Sequence, residues 1–213
     1  IQDRKQDGTL RQLNHFKSSI DFFSNDYLGL SNDANSEMLP SKGSTGSRLL
    51  SGNSVLAEEC EKQLALFYES ESALVFNSGY DANIGLISTV ALRGDTILYD
   101  EYIHASSRDG IRLSFANSIS FKHNDIDDLK QKIQGLKGTI FVLVESLYSM
   151  DGDMAPLTSI QKICSEFSAY LIVDEAHACG VFGKEGRGIA HAKALHKDLF
   201  CRIVTLGKAY GYH

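Results

Sequence analysis

The sequence predicts an α/β fold in which a mainly parallel β-sheet is covered by helices. Segments of strand length alternate with segments of helical periodicity along most of the chain. Several strand-length segments, among them TIFVLVE and YLIVD, are apolar throughout rather than at every second residue. Such strands are buried on both faces, which is typical of a parallel sheet between two layers of helices.

The first predicted helix spans 55–69 and follows a cap at Asn53 or Ser54. Its apolar residues recur at steps of three and four: Leu56, Cys60, Leu64 and Phe67. A strand is predicted at 73–76 and a second helix at 79–92. The alternation of the fold therefore begins in the first half of the chain.

The second half continues the alternation without a repeat, a low-complexity tract or a linker. Strands are predicted at 96–99, 118–121, 139–145, 170–174 and 202–206. Helices are predicted at 125–135, which Asp125 opens, and at 156–168, whose first turn contains Pro156.

The composition is that of a globular protein with one substantial core. The 213 residues are 43% hydrophobic and 23% charged, and they include only two prolines. The net charge of -6 argues against a nucleic-acid partner and against an anionic membrane surface. No apolar run is long enough to span a bilayer, the start lacks an apolar signal core, and the four cysteines form no CxxC pair. We therefore expect a cytoplasmic protein with reduced thiols.

Ligands of such sheets bind outside the carboxyl ends of the strands, so the residues that close the predicted strands are candidates for a site. These residues are polar at several positions: Asn77, Ser78, Asp100, Glu145, Asp174, His177 and the segment from Thr205 to Lys208. The stretch YLIVDEAH is the plainest example, because an apolar strand ends there in two carboxylates and an imidazole.

Three kinds of site fit these residues poorly. DEAH resembles the metal-binding box of one helicase group, but GVFGKEG and TLGKAYG both lack the Ser or Thr that a GxxxxGK[ST] phosphate loop requires. No metal site is predicted, since there is no HExxH, and His191 and His196 are expected to be solvated on the surface. The glycines of KGSTGSRLLSGNS do not have dinucleotide-site spacing, and no strand precedes them.

A covalent cofactor site fits better. Lys208 lies just beyond a predicted strand between Gly207 and Ala209, whose small side chains leave room for a planar imine. An imine to pyridoxal phosphate requires an acid partner for the pyridine nitrogen, because the cationic ring is the electron sink. Asp174 can supply that carboxylate, and His177 can reach the ring's 3-oxygen.

The phosphate of such a cofactor requires amides and hydroxyls. NSGYDAN offers both at the start of a predicted helix, where the dipole also favours an anion, and Thr205 adds a hydroxyl. Taken singly, each of these residues is more often a cap, an exposed lysine or a structural histidine. Their combination favours a cofactor site without excluding those ordinary roles.

The chain resembles the α-oxoamine synthase family in a series of short sequence motifs. FFSNDYLGLS, GSTGSRLLSGNS, FNSGYDAN, YIHAS, ESLYSMDGDMAPL, VDEAHACGVFGKEGRG and TLGKAYG occur in the order expected of that family, from about Phe22 to the last residue. The family consists of pyridoxal-phosphate enzymes of the aspartate-aminotransferase fold, also called fold type I. The resemblance therefore implies this fold and this cofactor.

The resemblance implies roles for residues that match the family's motifs. Lys208 would form the Schiff base to pyridoxal phosphate, Asp174 would pair with the pyridine nitrogen, and His177 with the phenolic oxygen. His104 in YIHAS would stack on the ring and help to polarise the acyl group. Asn25 in SNDYLG would face the substrate.

The resemblance also implies a phosphate site and further pocket residues. Gly79 and Tyr80 in NSGYDAN, with Thr205, would hold the phosphate. Glu145 and Ser149 would line the cofactor pocket. Simple scaffold or core roles for Glu145, Tyr80 and Asn25 are the alternatives.

The reaction implied by the resemblance is an acyl transfer. It would be the decarboxylative condensation of L-alanine with pimeloyl-CoA, or with the carrier-protein thioester, in biotin biosynthesis by a homodimer. A sibling that joins glycine to acetyl-CoA, a glycine C-acetyltransferase, is the nearest alternative. An aminotransferase and a non-catalytic partner subunit are the others, although a non-catalytic subunit would be expected to lack Lys208.

The chain differs from the family in extent. Residues 1–40 are predicted to be an N-terminal segment, and 41–213 a large cofactor-binding domain that is incomplete at its C-terminal end. The family continues past the lysine into a small C-terminal domain with an arginine for the substrate carboxylate. Because the chain starts at Ile1 and ends in GKAYGYH, we expect a segment of a longer protein.

Overall fold

One parallel sheet organises the part of the chain that the computed structural model describes, residues 6, 25–30, 46–49 and 52–212. Its strands are β1 (Thr96–Asp100), β2 (Asn117–Phe121), β3 (Ile140–Glu145), β4 (Tyr170–Asp174) and β5 (Cys201–Ile203). They pair in the order β2-β1-β3-β4-β5, and every pairing is parallel. The predicted fold class is therefore confirmed, while the predicted boundary between residues 40 and 41 lies outside the described residues.

Helices connect and cover these strands. Those with described bounds are α1 (Val55–Tyr68), α2 (Gly79–Val90), α3 (Ala105–Leu113), α4 (Ile126–Ile133), α5 (Leu157–Glu166) and α6 (Ile189–Ala192). Side chains of Ser54 and Asp125 accept backbone N–H groups in the first turns of α1 and α4, as predicted. No helix in this part of the chain combines the length and the apolar character needed to cross a bilayer.

Apolar residues are buried on both faces of the sheet. Leu98, Val142 and Val173 belong to one core cluster, which extends to residues of α4 and α5. Ile97, Leu143 and Ile172, their neighbours in sequence, belong to a second cluster with residues of α2 and α3. Successive strand residues point to opposite faces, so both faces need apolar side chains. This explains the continuous apolar runs in the sequence.

The predicted strand at 73–76 is wrong. This segment has no strand partner among the described residues; the backbone N–H of Val75 instead donates to Glu61 of α1 at 2.9 Å. A Cβ on Gly85 would lie 2.9 Å from Phe76, so the segment packs against α2. The predicted strand at 202–206 is also shorter, since β5 ends at Ile203.

The helix α3 was not predicted, because ASSRDGIRL combines serines, an aspartate and a glycine that favour caps and turns. Close packing explains its formation. A Cβ on Gly110 would lie 2.9 Å from Cβ of Ile87 and 3.0 Å from the backbone oxygen of Asn83. Glycine therefore lets α3 approach α2 closely.

The apolar stripe predicted for α1 is only partly buried, since Leu64 and Phe67 are half-buried. Leu56 and Cys60 are exposed, whereas Ala65 and Tyr68 are buried. Arg202 explains this orientation, because its guanidinium lies 5.2 Å from the ring centre of Tyr68 and donates to the Tyr68 carbonyl at 2.7 Å. All four cysteines are free thiols; Cys164 and Cys179 are buried.

The sheet has a topological switch point between β1 and β3. The chain runs from β1 to β2 on one side and then returns to place β3, β4 and β5 on the other side. Crevices that bind ligands in open α/β sheets lie at the carboxyl edge near such a point. Asp100, Glu145 and Asp174 end three adjacent strands at this edge.

Candidate active site

Lys208 and His177 meet at the carboxyl edge of the sheet. Nζ of Lys208, which follows β5, lies 2.6 Å from Nε2 of His177, which follows β4. On the other side of the imidazole, Nδ1 lies 2.7 Å from the hydroxyl of Tyr27. Tyr27 in turn donates to Oδ1 of Asn25 at 2.9 Å. The structure thus brings together three predicted residues and adds Tyr27.

Burial, with the nearby charge of Lys208, lowers the pKa of His177 to about 4, so its imidazole is neutral at pH 7. When Nζ donates to Nε2, the ring proton lies on Nδ1 and is donated to the Tyr27 oxygen. The Tyr27 hydroxyl then donates to Asn25, so each donor in this chain of hydrogen bonds has one acceptor. Burial also lowers the pKa of Lys208, which favours the nucleophilic amine.

Asp174 ends β4 and is buried, with 5% of its surface exposed. Its Oδ2 accepts from Nδ2 of Asn83 at 2.9 Å, and its Oδ1 accepts from the backbone N–H of Ala176 at 2.9 Å. The Asn83 side chain accepts in turn from the Ser107 hydroxyl at 3.2 Å. The carboxylate is therefore held both by its own loop and by helix α2.

Glu145 lies beside Asp174 because β3 and β4 pair in parallel with these two residues in register. Glu145 is buried, with 4% of its surface exposed. Burial, together with the charge of Asp174, raises the pKa of Glu145 to about 8. At pH 7 Glu145 is therefore mainly protonated and can donate a hydrogen bond.

The first turn of α2 is a candidate anion site at the same edge. Ser78 caps this 12-residue helix, its Oγ accepting from the backbone N–H of Asp81 at 3.0 Å. A Cβ on Gly79 would lie 3.7 Å from Cβ of Thr205, so these two predicted phosphate ligands face each other. The free N–H groups and the dipole of the helix favour an anion there.

His104 and Tyr80 present exposed rings near this anion site. Nδ1 of His104 accepts from the backbone N–H of Ser106 at 3.2 Å and so caps α3. The two rings meet edge to face with centres 6.3 Å apart, and the Tyr80 hydroxyl donates to Asp109. The stacking role of His104 and the phosphate role of Tyr80 stay predictions.

Ser149 lies on a neighbouring cavity of about 270 Å³. The cavity is lined by Glu101, Tyr102, Arg108, Tyr148, Ser149, Met150 and Asp151. It adjoins the loop that leads from β1 to His104. Among the described side chains, no hydrogen bond joins Ser149 to Lys208, so its place in the cofactor pocket also stays a prediction.

Sequence reasoning missed Asn83, Ser107 and Tyr27. Asn83 lies one turn before Ile87 on the buried face of α2, and a polar residue on an apolar helix face was a usable signal. Ser107 lies on α3, which was not predicted. Tyr27 lies in a quoted motif, but nothing in the spacing connects it with His177.

The expectation for His191 and His196 is wrong. Their side chains are only 14% and 10% exposed, and their rings stack with centres 4.5 Å apart. Nε2 of His191 lies 3.4 Å from Oε1 of Glu69, and Nε2 of His196 lies 3.3 Å from its Oε2. Arg187 also pairs with Glu69, so this cluster already contains its own cation.

Glu175, the second carboxylate of the DEAH stretch, is fully buried and acts within the scaffold. Its Oε1 accepts from the backbone N–H of Ala190 at 2.9 Å, and its Oε2 lies 3.3 Å from Arg202. Glu175 therefore ties β4 to β5 and α6 and does not face the Lys208 site.

Comparison with known proteins identifies the family. A model of aminotransferase class I and II matches residues 17–213. The chain is 42% identical over 222 residues to the 8-amino-7-oxononanoate synthase of Emericella nidulans, an alignment that covers 92% of this chain and 54% of that protein. It is 41% identical over 197 residues to the serine palmitoyltransferase of Caulobacter vibrioides, covering 88% of this chain and 49% of that protein.

A solved structure agrees with these relatives. Serine palmitoyltransferase from S. paucimobilis, with a compound of pyridoxal phosphate and myriocin bound, matches with a TM-score of 0.82 and 34% identity over 88% of this chain and 51% of that one. This chain belongs to the aminotransferase class I and II family. It spans about half the length of the curated relatives it matches. The predicted resemblance to α-oxoamine synthases and the predicted cofactor, pyridoxal phosphate, are confirmed.

The residues at the sheet edge fit this cofactor. A lysine with a lowered pKa, a fixed carboxylate and a helix N-terminus facing a threonine are the groups that its aldehyde, its ring nitrogen and its phosphate require. Lys208, Asp174 and the Gly79–Thr205 pair supply them on one edge of one sheet.

Proposed function

We propose that the protein is an α-oxoamine synthase that condenses L-alanine with a pimeloyl thioester, of CoA or of a carrier protein, to give 8-amino-7-oxononanoate. The observation that carries this proposal is the convergence of Lys208, His177 and Asp174, in which Nζ of Lys208 lies 2.6 Å from His177. Enzymes typically accelerate reactions by about 10⁶-fold or more, and close positioning of the catalytic groups supplies part of that acceleration.

Pyridoxal phosphate would supply an electron sink for the α-carbon of the amino acid. Lys208 would hold the cofactor through its amine, Asp174 would pair with the ring nitrogen, and His177 with the ring oxygen. The backbone N–H of Gly79 and the hydroxyl of Thr205 would hold the phosphate. The fixed carboxylate of Asp174 and the anion site of α2 support these assignments.

Lys208 would also move the proton. Once the amino acid has displaced it, Nζ is free to take the α-proton, and its lowered pKa supports this role as general base. His104 would polarise the thioester carbonyl. A carbon–carbon bond then forms, the thiol leaves, the former carboxylate departs as carbon dioxide, and a proton returned to the α-carbon completes the amino ketone.

A second candidate is the reaction named by the serine palmitoyltransferase relatives, with L-serine and a palmitoyl thioester. Similar sequence identities support the two candidate reactions: 42% to the synthase of Emericella nidulans and 41% to the transferase of Caulobacter vibrioides. The groups described above serve the chemistry that the two reactions share. Only the amino-acid side chain and the acyl chain distinguish the two substrate pairs.

We also propose a cytoplasmic homodimer. Free thiols at all four cysteines support a reducing compartment. Exposed apolar side chains on α1 and on the following segment, including Leu56, Leu66, Leu74 and Phe76, support a protein contact.

The test uses the natural full-length protein loaded with pyridoxal phosphate. It is mixed with L-alanine and pimeloyl-CoA, L-serine and palmitoyl-CoA, or glycine and acetyl-CoA, and release of free thiol is followed. Lys208→Ala is the control for the chemistry, because it removes both the covalent attachment and the base. Formation of a keto acid from the amino acid alone is measured in parallel.

Thiol release with alanine and pimeloyl-CoA, absent in Lys208→Ala, is the expected result. Release with serine and palmitoyl-CoA alone would transfer the assignment to the second candidate. Release with glycine and acetyl-CoA alone, or keto acid without thiol, would overturn both in favour of the acetyltransferase or an aminotransferase. A protein that binds no cofactor and releases no thiol would be a non-catalytic partner.

A further inference from the structure

The side chain of Asn83 makes a hydrogen bond to which the proposed function assigns no role. Asn83 lies on α2, is 3% exposed and donates from Nδ2 to Oδ2 of Asp174 at 2.9 Å. The two residues are 91 positions apart in the sequence. An asparagine among the apolar residues that α2 turns toward the sheet costs free energy unless its amide is satisfied.

The orientation of the Asn83 amide is determined by its partners. An ionised carboxylate accepts hydrogen bonds only, so the NH₂ group must face Asp174. The Asn83 oxygen then faces the Ser107 hydroxyl, which donates to it at 3.2 Å. Ser107 is 1% exposed, so this row is buried from α3 through α2 to the end of β4.

The close packing of the two helices fixes this row in place. Gly110 of α3 lies so near α2 that a Cβ there would be 3.0 Å from the backbone oxygen of Asn83. Ser107 is therefore held at a fixed distance from Asn83. The remaining oxygen, Oδ1 of Asp174, accepts from the backbone N–H of Ala176. Both oxygens of the carboxylate are thus restrained.

We propose that Asn83 is a positioning residue of the cofactor site, whose amide, oriented by Ser107, holds the Asp174 carboxylate in place for the pyridine nitrogen of pyridoxal phosphate. This rests on the part of the proposed function that assigns Asp174 to the ring nitrogen. It does not depend on which amino acid or acyl thioester the enzyme uses. Asn83 acts through Asp174 and takes no part in bond making.

The test compares Asn83→Leu, Ser107→Ala and the unaltered full-length protein, without any substrate. Leucine has nearly the shape of asparagine but no donor. Thr89→Val on the exposed side of α2 is the matched control, because Thr89 bonds only to carbonyls of its own helix. The dissociation constant of pyridoxal phosphate is measured, and the visible absorption of the lysine-bound cofactor is titrated with pH.

Loss of a hydrogen bond to a charged group should raise the dissociation constant in Asn83→Leu about tenfold or more. In this variant the pyridine nitrogen should be protonated less often. Its positive charge then repels the proton on the nitrogen that joins Lys208 to the cofactor less strongly. The titration midpoint should therefore move to higher pH. Ser107→Ala should show a smaller change in the same direction, and Thr89→Val none.

A dissociation constant within about twofold of the unaltered protein, with an unmoved midpoint, would overturn the proposal. If Asn83→Leu does not fold, Ser107→Ala decides by the same two measurements. A merely structural role would lower the melting temperature without moving the midpoint. Since no substrate is present, failure of the alanine and pimeloyl assignment leaves this result unaffected. An unaltered protein that binds no cofactor would overturn both.

Discussion

Replacing Glu145 by glutamine should remove a pH dependence of stability that this buried carboxyl imposes on the cofactor-free protein. Burial, with Asp174 beside it, raises the pKa of Glu145 from 4.5 to about 8 on folding. Between these pH values the folded protein holds a proton that the unfolded chain has released. The contribution is therefore fully present below about pH 4.5 and is lost as the pH rises toward 8.

The magnitude follows from the two pKa values of Glu145, which are about 8 in the folded protein and 4.5 in the unfolded chain. Their difference corresponds to about 5 kcal/mol of unfolding free energy across this range. Glutamine has nearly the same shape and stays neutral. The Glu145→Gln protein should match the parent near pH 5 and become the more stable of the two by several kcal/mol above pH 8.

Urea unfolding of both proteins at a series of pH values measures this difference, in which the contributions of other titrating groups cancel. Asp174→Asn provides the control. Removing the Asp174 charge lowers the folded-state pKa of Glu145, so the loss of stability should be smaller and should end at a lower pH. A difference between parent and Glu145→Gln that stays constant from pH 5 to pH 9 would refute the reasoning.

Two further predictions concern the buried scaffold carboxylate. Glu175→Ala should lower the unfolding free energy by about 3–5 kcal/mol, because it leaves the Arg202 charge unpaired in the interior. Glu166→Ala, which removes an exposed ion pair, should cost less than about 1 kcal/mol. Urea unfolding of both variants measures the two losses. Gly188→Ala should cost at least about 2 kcal/mol, since φ is +95° and a Cβ would lie 2.6 Å from Oε2 of Glu175. Gly152→Ala, at φ +72° with open space around it, should cost only about 1 kcal/mol in the same assay, and equal losses in the two variants would contradict the packing argument.

The sheet was predictable because its signal is local. Continuous apolar runs such as IFVLVE depend on burial of both faces, and the polar residue after each run marks the carboxyl edge. Asp174 and His177 follow one such strand and Lys208 the next, so their convergence could be inferred from parallel pairing alone. The segment 73–76 carries the same apolar signal but packs on a helix, which periodicity cannot distinguish.

The rest of the site depends on contacts between distant parts of the chain. Tyr27 meets His177 across 150 residues, and Asn83 meets Asp174 across 91. The helix that carries Ser107 has weak local propensity and forms against α2 through the close approach of Gly110. No spacing rule connects these positions, because packing of whole elements brings them together.

The protonation states at the sheet edge support a binding function over a purely structural one. Burial keeps Glu145 mainly protonated at pH 7, against its usual preference, and lowers the pKa values of His177 and Lys208. The shifts of Glu145 and Lys208 cost folding free energy at neutral pH, and replacement by apolar residues would avoid that cost. Perturbed groups of this kind cluster where a charged ligand is to be held. Since pyridoxal phosphate binds the folded state, its binding should return part of that free energy as stability.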